Sequence, residues 1–195
     1  MSNGASEQFG KDLGLMHEVI VTGRKVGAGR DFWAALAHNE EMFKKVVDLV
    51  NPRPSFKVLV DYTKPLKEMI VAGKYDWVNG DITQERFPIK GTGQKEVEVT
   101  LFHFNKTITS DQVISEMDKA GYRPARLEEL LALGVSQPEL QKQFPVVAVG
   151  SVWRRNPGGH RNVPYLHWFS AERCLGLYWF EGGWGGHWRF AAVCK

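Results

Sequence analysis

The spacing of apolar residues divides the chain into an N-terminal helical segment and a mixed C-terminal domain. Between Asp31 and Val50, apolar residues recur three or four positions apart, which predicts one amphipathic helix with Asp31 as its N-cap. Two prolines follow within Asn51–Pro54, and proline cannot continue a helix. We therefore predict a helical segment and linker over residues 1–54 and a second domain over residues 55–195. The sparse apolar residues before Asp31 are compatible with a short helix or a strand.

Strand and helix patterns alternate in the first part of the second domain. Residues Glu96–Phe104 alternate between polar and apolar side chains, as a half-buried strand does. Thr109 with Gln112 is the signature of a capping box, which predicts a helix that ends at Gly121. The remaining elements are predicted as strands over Phe56–Val60 and Val146–Val149, helices over Pro65–Ala72 and Ala125–Leu133, and an ordered loop over Lys74–Gln94. Glu128 and Glu129 are assigned to a solvated helix face.

The C-terminal fifty residues predict strands that are rich in aromatic residues. Short connections, the second of them rich in glycine, separate three such strands, Val163–Phe169, Cys174–Phe180 and His187–Val193. From residue 96 onward the order is strand, helix, helix and several strands. This order predicts an α+β domain in which two helices pack on a mostly antiparallel, aromatic-rich sheet.

The two faces of these strands differ in chemical character. Leu175, Leu177 and Trp179 form one apolar face, which is predicted to cover the core. On the other face, successive side chains are a thiol, a hydrogen and a phenol, a series that packing would not require. We therefore predict that this second face is exposed to solvent. The preceding strand splits in the same way, with Leu166 and Trp168 on the apolar face and His167 and Phe169 on the other.

Several runs in this domain resemble the variable proteins of diversity-generating retroelements, in particular those of small, uncultivated bacteria. The runs are Tyr122–Ala125, Leu127–Gly134, Phe144–Trp153, Val163–Leu166, Trp179–Phe180, Trp184 and Arg189–Val193. The resemblance covers Phe56–Lys195 and is weakest before Glu96. It implies a C-type-lectin-like fold, related to the formylglycine-generating-enzyme branch. It also implies that a reverse transcriptase copies a template repeat with errors at adenines and writes the result into the 3′ end of the gene.

The resemblance and the chemically irregular strand face together predict a ligand-binding surface within residues 154–190. The residues assigned to it are His167, Phe169, Ala171, Cys174, Gly176, Tyr178, Glu181, Gly182, Gly185, His187 and Trp188. Adenine-directed mutation of an asparagine codon reaches all of these residue types except glutamate and tryptophan, so Glu181 and Trp188 need another template codon or are fixed. Phe169, Tyr178 and Trp188 are the expected energetic anchors, because binding hot spots favour aromatic residues.

Composition and charge add few constraints on the partner. The 195 residues carry a net charge of +3, which is too small to indicate nucleic acid by itself. Two cysteines give no disulfide framework, so a reduced pair is expected. We find neither a signal-peptide pattern nor a membrane-length apolar run, and the cytoplasm is the default compartment. The histidines lack metal-ligand spacing, and no acidic cluster for calcium is present, so we expect neither a metal nor a cofactor.

Three other interpretations remain open at this stage. The expected function is non-enzymatic recognition of a protein or another macromolecule, with no catalytic residue. A formylglycine-generating-type oxidase that uses Cys174 and Cys194 is the first alternative. A nucleic-acid-binding module that combines arginine with aromatic stacking is the second. The third is a tryptophan-rich core with no special role.

Overall fold

The N-terminal unit of the computed structural model, which describes residues 3–50 and 52–195, contains three helices: α1 (Asn3–Lys25), α2 (Arg30–His38) and α3 (Glu40–Val50). The prediction of one helix over Asp31–Val50 is therefore wrong. The chain is extended at Asn39, whose side-chain oxygen accepts a hydrogen bond from the backbone N–H of Met42 at 2.9 Å. An asparagine that caps the following helix in this way stops the preceding one. Gly29, not Asp31, is the N-cap of α2.

The chain divides into two compact units between Pro52 and Arg53. The second unit contains the helices α4 (Leu66–Ala72), α5 (Ser110–Lys119), α6 (Leu127–Ser136) and α7 (Leu140–Gln143). Its strands are β1 (Ser55–Asp61), β2 (Trp77–Val78), β3 (Gln94–His103), β4 (Tyr122–Pro124), β5 (Val146–Val147), β6 (Trp153–Arg154), β7 (Arg161–Phe169), β8 (Glu172–Trp179) and β9 (Arg189–Cys194). The protein is thus α+β, with seven helices among the described residues.

All nine strands belong to one mixed sheet. The central order is β1-β3-β9-β5-β7-β8-β2, while β4 pairs with β9 and β6 with β7. Two of the pairs, β5 with β9 and β2 with β8, are parallel, and the others are antiparallel. The prediction of a mostly antiparallel sheet is confirmed at this level.

Both faces of the sheet are buried. Along β9, Ala191 belongs to one hydrophobic cluster and Phe190 and Ala192 to the other, and successive strand residues point to opposite faces. The first cluster includes side chains of α4 and α6, and the second includes Val113 and Met117 of α5. Two layers of helix and loop therefore hold the sheet between them, which fixes the strands that carry the candidate site.

The local signals predicted helix α5 correctly but placed the end of α6 too early. The capping box of α5 is present: the N–H of Gln112 donates to the Thr109 hydroxyl at 3.3 Å, and the N–H of Thr109 donates to the Gln112 side chain at 3.0 Å. Helix α6, in contrast, continues through Gly134 to Ser136. A Cβ on Gly134 would lie 2.2 Å from the hydroxyl oxygen of Tyr75, so this glycine makes room for a neighbouring ring.

The assignment of Glu128 and Glu129 to a solvated face is also wrong, because both side chains are buried. The Arg123 guanidinium donates two hydrogen bonds to the Glu129 carboxylate, at 2.6 and 3.0 Å, and the N–H of Arg126 donates a third at 2.8 Å. The Glu128 carboxylate accepts from the N–H of Lys90 at 2.6 Å. These partners compensate for the removal of the two charges from water.

Among the described residues, no helix is long and apolar enough to cross a membrane.

Candidate ligand-binding surface

The predicted site residues are concentrated on the β7–β8 hairpin. Its register places Tyr165 opposite Gly176 and His167 opposite Cys174, so these four residues share one face. The two strands are joined by Ser170 and Ala171, which have φ values of 49° and 67°. Positive φ at both central residues matches the tight turn that suits the twist of a hairpin. Ala171 therefore lies at the tip of the hairpin, where it is exposed.

An open pocket of about 370 Å³ lies beside this hairpin and is lined mainly by aromatic rings. His167 stacks on Tyr165 with ring centroids 4.6 Å apart. Tyr178 contacts Trp188 at 5.1 Å, and His187 lies at the edge of the same group. We call this feature the β7–β8 pocket; its walls also include Gln141, Lys142, Gln143, Phe144, Pro145 and Trp168.

The structure exposes some of the predicted site residues and buries others. Phe169 is 66% exposed and Tyr178 38%. Ala171, Glu181 and His187 are also exposed, and His167, Gly182 and Gly185 are half-buried. The strand face that was predicted to be exposed is therefore exposed only near the two ends of the hairpin.

Three of the residues predicted to be exposed are buried: Cys174, Gly176 and Trp188. The physical reason is that this face carries the second hydrophobic cluster, of which Trp188 is a member. Gly176 lies under the Tyr165 ring, where a Cβ would come within 2.5 Å of a ring carbon. Cys174 lies on an interior strand, between β7 and β2, and is 3% exposed.

Two tryptophans assigned to the core are instead exposed, Trp179 to 61% and Trp168 to 37%. Leu166 and Leu175, in the middle of the same strands, are buried as predicted. The side chains at the strand ends extend past the helices that cover the middle. Trp179 stacks on His160 at 5.4 Å, and the Lys142 ammonium lies 4.8 Å from the centre of the Trp168 ring. The exposed aromatic residues are thus divided between the two faces of the hairpin, with Phe169 and Tyr178 on one and Trp168 and Trp179 on the other.

Glu181 and Trp188 both make contacts that maintain the scaffold. The side chain and the backbone N–H of Arg161 donate to the Glu181 carboxylate at 2.7 and 3.0 Å, and these hydrogen bonds lower the pKa of Glu181. Trp188 packs edge-to-face on the fully buried Trp184 at 4.7 Å. These are the two predicted site residues that adenine-directed mutation of asparagine codons does not produce.

The electrostatics of the surface follow from partial burial. Burial lowers the pKa of His167 and raises the pKa of Tyr165, so the uncharged form of each side chain is favoured. Burial also raises the pKa of the Cys174 thiol, and the nearby carboxylates of Glu172 and Asp76 raise it further. The thiol form, which is a poor nucleophile, is therefore favoured at neutral pH.

The two cysteines are free and occupy different strands. Cys174 lies on β8 and Cys194 on β9, with β5 and β7 between them in the sheet. Three strand spacings correspond to about 14 Å. No group of three or more His, Cys, Asp or Glu side chains among the described residues is arranged to hold a metal ion.

Sequence reasoning missed the contribution of α7 to the pocket. Gln141 is buried, and its amide donates to the carbonyl oxygens of His167 at 2.6 Å and Cys174 at 3.3 Å. Its own oxygen accepts from the Arg173 guanidinium at 3.2 Å. Lys142 and Phe144 then line the pocket itself. No local signal identifies these residues, because their role depends on contacts with strands more than twenty positions away.

Comparisons with known proteins do not assign this chain to a family. Its comparison with protein-family models, with curated protein sequences and with solved structures found no match. The β7–β8 pocket and the exposed aromatic residues on the hairpin are therefore the features that bear on function.

Proposed function

We propose that this protein is a non-enzymatic ligand-binding protein whose recognition surface is the face of the β7–β8 hairpin that lines the β7–β8 pocket. The observation that carries the proposal is that Phe169 and Tyr178, which lie on this face, are exposed although the middles of their strands are buried. Rigid aromatic groups give large contact areas with little loss of conformational entropy, as in antibody loops. The open, ring-lined β7–β8 pocket is formed by side chains of the same face, and ligands bind in concave sites of this kind.

We further propose that the domain has a C-type-lectin-like fold and that its surface is diversified by a retroelement. The distribution of side-chain exposure and contacts supports the second part, the diversification. His167, Phe169, Tyr178 and His187 are partly or fully accessible and are residue types that adenine-directed mutation produces. The two types that such mutation does not produce, at Glu181 and Trp188, have scaffold contacts. On this proposal Cys174 and Gly176 belong to the scaffold as well, because their side-chain positions are enclosed.

The oxidase alternative receives no support from the site. The free thiols of Cys174 and Cys194 are on strands separated by two others, and the surroundings of Cys174 favour its protonated form. A pair of thiols that acts in one redox step has to come within bonding distance. We therefore propose recognition without covalent chemistry.

The stability of asparagine variants tests the assignment of surface and scaffold. The double substitution Phe169→Asn with Tyr178→Asn is expected to lower the free energy of unfolding by only about 1–2 kcal/mol, mainly through the ring contacts of Tyr178. The matched substitution Trp188→Asn is expected to cost about 3–5 kcal/mol, because it leaves a cavity. Both values are measured by urea unfolding. Equal losses would place Phe169 and Tyr178 in the scaffold and contradict the proposal.

The neighbouring DNA tests the diversification itself. We expect a near-copy of the 3′ end of the gene that differs at adenines and lies beside a reverse transcriptase gene. The codons that differ should include those of Phe169 and Tyr178 and should exclude that of Trp188. If the neighbouring DNA has no such repeat, the proposal of diversification is contradicted, and the proposal of a ligand-binding surface is unaffected.

A further inference from the structure

The size of the β7–β8 pocket limits what can enter it. Its volume of about 370 Å³ is at the small end of the range of ligand sites. The pocket is open, and its floor and walls are rings, among them Tyr165, Tyr178 and Trp188. Aromatic groups pack on such rings in offset or edge-to-face geometry. One aromatic side chain of a partner, with its flanking residues on the rim, is the matching occupant.

The ionisable side chains that line the pocket, apart from the tyrosines, are a lysine and two histidines. Among the described lining residues none is an aspartate or glutamate, whereas Lys142, His167 and His187 all line the pocket. Arg189 adds a second permanent cation close by: its guanidinium lies 4.5 Å from the centre of the Phe144 ring and donates to the His187 carbonyl oxygen at 3.2 Å.

Two carboxylates of the neighbouring segments, Glu139 and Glu172, are weak competitors for an incoming anion. Glu139 pairs with the Lys142 ammonium at 2.8 Å, but the two side chains are 71% and 40% accessible to water, respectively. Glu172 is exposed at the tip of the hairpin, opposite Phe169. Exposed ion pairs contribute little free energy, so a partner carboxylate can replace Glu139 at small cost.

From this charge pattern, and resting on the proposed function, we infer that the β7–β8 pocket binds an aromatic side chain that is flanked by carboxylates in a partner protein. The aromatic ring enters the pocket, and the flanking carboxylates pair with Lys142 and Arg189 at the rim. A nucleic acid also combines rings with negative charge. It is disfavoured because backbone recognition uses a row of cations along a groove, and this pocket has two permanent ones.

Protonation of His167 gives the inference a pH dependence. Burial lowers the pKa of this imidazole, so it is neutral at pH 7. The groups that face it are Tyr165 by stacking, Cys174 across the hairpin, and Lys142, Tyr178 and His187 in the pocket wall. A bound carboxylate favours the charged imidazole, so the affinity for acidic ligands rises as the pH falls below 6.5, while that for neutral ligands does not.

Three capped tripeptides with a central tryptophan test the inference on the full chain by NMR titration. At pH 7 the peptide Asp-Trp-Asp is expected to bind at least about threefold more tightly than Asn-Trp-Asn, and Lys-Trp-Lys more weakly than both. The substitution Lys142→Gln should remove most of this preference for the acidic peptide. The control Lys67→Gln, on α4, should leave it unchanged.

The other outcomes overturn the inference and leave the proposed function to its own tests. Equal affinities for the three peptides, or a preference for the basic one, would show that charge does not select the ligand. The absence of binding by all three at millimolar concentration would show that the pocket does not take such a side chain. Tighter, salt-sensitive binding of a single-stranded oligothymidine would assign the surface to nucleic acid. None of these results changes the stability comparison between the Phe169/Tyr178 double variant and Trp188→Asn.

Discussion

Gly176 determines where the Tyr165 ring lies. The position of a Cβ at residue 176 is 2.5 Å from a carbon of that ring, and Tyr165 in turn stacks on His167 in the pocket wall. A larger residue must displace the ring, which is half-buried. Gly176 is therefore a scaffold position that shapes the site without contacting a ligand.

We expect Gly176→Ala to lower the free energy of unfolding by about 1–3 kcal/mol, the usual cost of overpacking. It should also shift the NMR resonances of the His167 ring, because the stack with Tyr165 is disturbed. Gly183→Ala is the matched control: its Cβ would meet only the methyl group of Thr107, at 3.5 Å, and the loss should stay below about 0.5 kcal/mol. A Gly176 variant as stable as the Gly183 variant would show that the ring does not depend on the glycine.

The sequence predicted the burial of single residues correctly in the middle of the strands, where the apolar face packs on the first hydrophobic cluster. Leu166 and Leu175 are buried as the alternation required. The same rule failed for Trp179, because alternation identifies a face but not how far the covering helices extend along it. It failed for Cys174 because β2 pairs with β8 at this residue and makes β8 an interior strand. Neither fact is encoded in the residues of the strand itself.

At the scale of elements, the start of α5 is joined to the loop that carries the site. The buried Ser110 hydroxyl donates to the carbonyl oxygen of Phe180 at 2.5 Å and accepts from the indole N–H of Trp184 at 2.8 Å. Trp184 is fully buried and packs against Trp188 and Tyr178. One hydroxyl on a helix thus orients the rings that form the floor of the β7–β8 pocket.

We expect Ser110→Ala to cost about 1–3 kcal/mol, because the indole N–H and the carbonyl oxygen both lose a buried partner. Tryptophan fluorescence should change as well, since the environment of Trp184 becomes different. Thr109→Ala, which removes only the N-cap, is expected to cost about 1 kcal/mol without the fluorescence change. Identical fluorescence in the two variants would mean that Ser110 does not orient Trp184.

The helices and strands were predicted correctly where the signal lies in residues that are close in sequence. The capping box at Thr109 and Gln112 satisfies the first N–H groups of α5 with neighbours in the chain, so four residues suffice to reveal it. The break at Asn39 was missed because helical periodicity continues across it. The function of α7 was missed for the opposite reason: Gln141 acts through the backbone of β7 and β8, which the chain reaches much later.

At the scale of the whole molecule, the sheet order depends on long-range pairing. Two parallel pairs join strands that are far apart in sequence: Val146 with Arg189, and Trp77 with Cys174. The sequence predicted an α+β domain from the order of its elements, but such pairings have no local signature. The consequence for the site is that β8 acquires a second neighbour, β2, which places Cys174 in the interior.

Both hydrophobic clusters consist only of residues from the second unit, from Phe56 to Val193. In the N-terminal unit, by contrast, none of the residues whose burial is described is buried. Since a domain is stabilised chiefly by the apolar surface that it buries, the second unit contains what it needs to fold alone. The β7–β8 pocket also lies entirely within this unit.

We therefore expect a chain that begins at Arg53 to fold cooperatively and to keep the near-ultraviolet circular dichroism of its tryptophans. Six of the seven tryptophans, all except Trp33, are retained in this chain, so the full-length protein is a direct reference for the signal. Its affinity for the Asp-Trp-Asp peptide should match that of the full chain, because every residue of the pocket is present. A shortened chain that unfolds without a cooperative transition, or that folds but loses the peptide, would show that residues 1–52 contribute to the core or to the site.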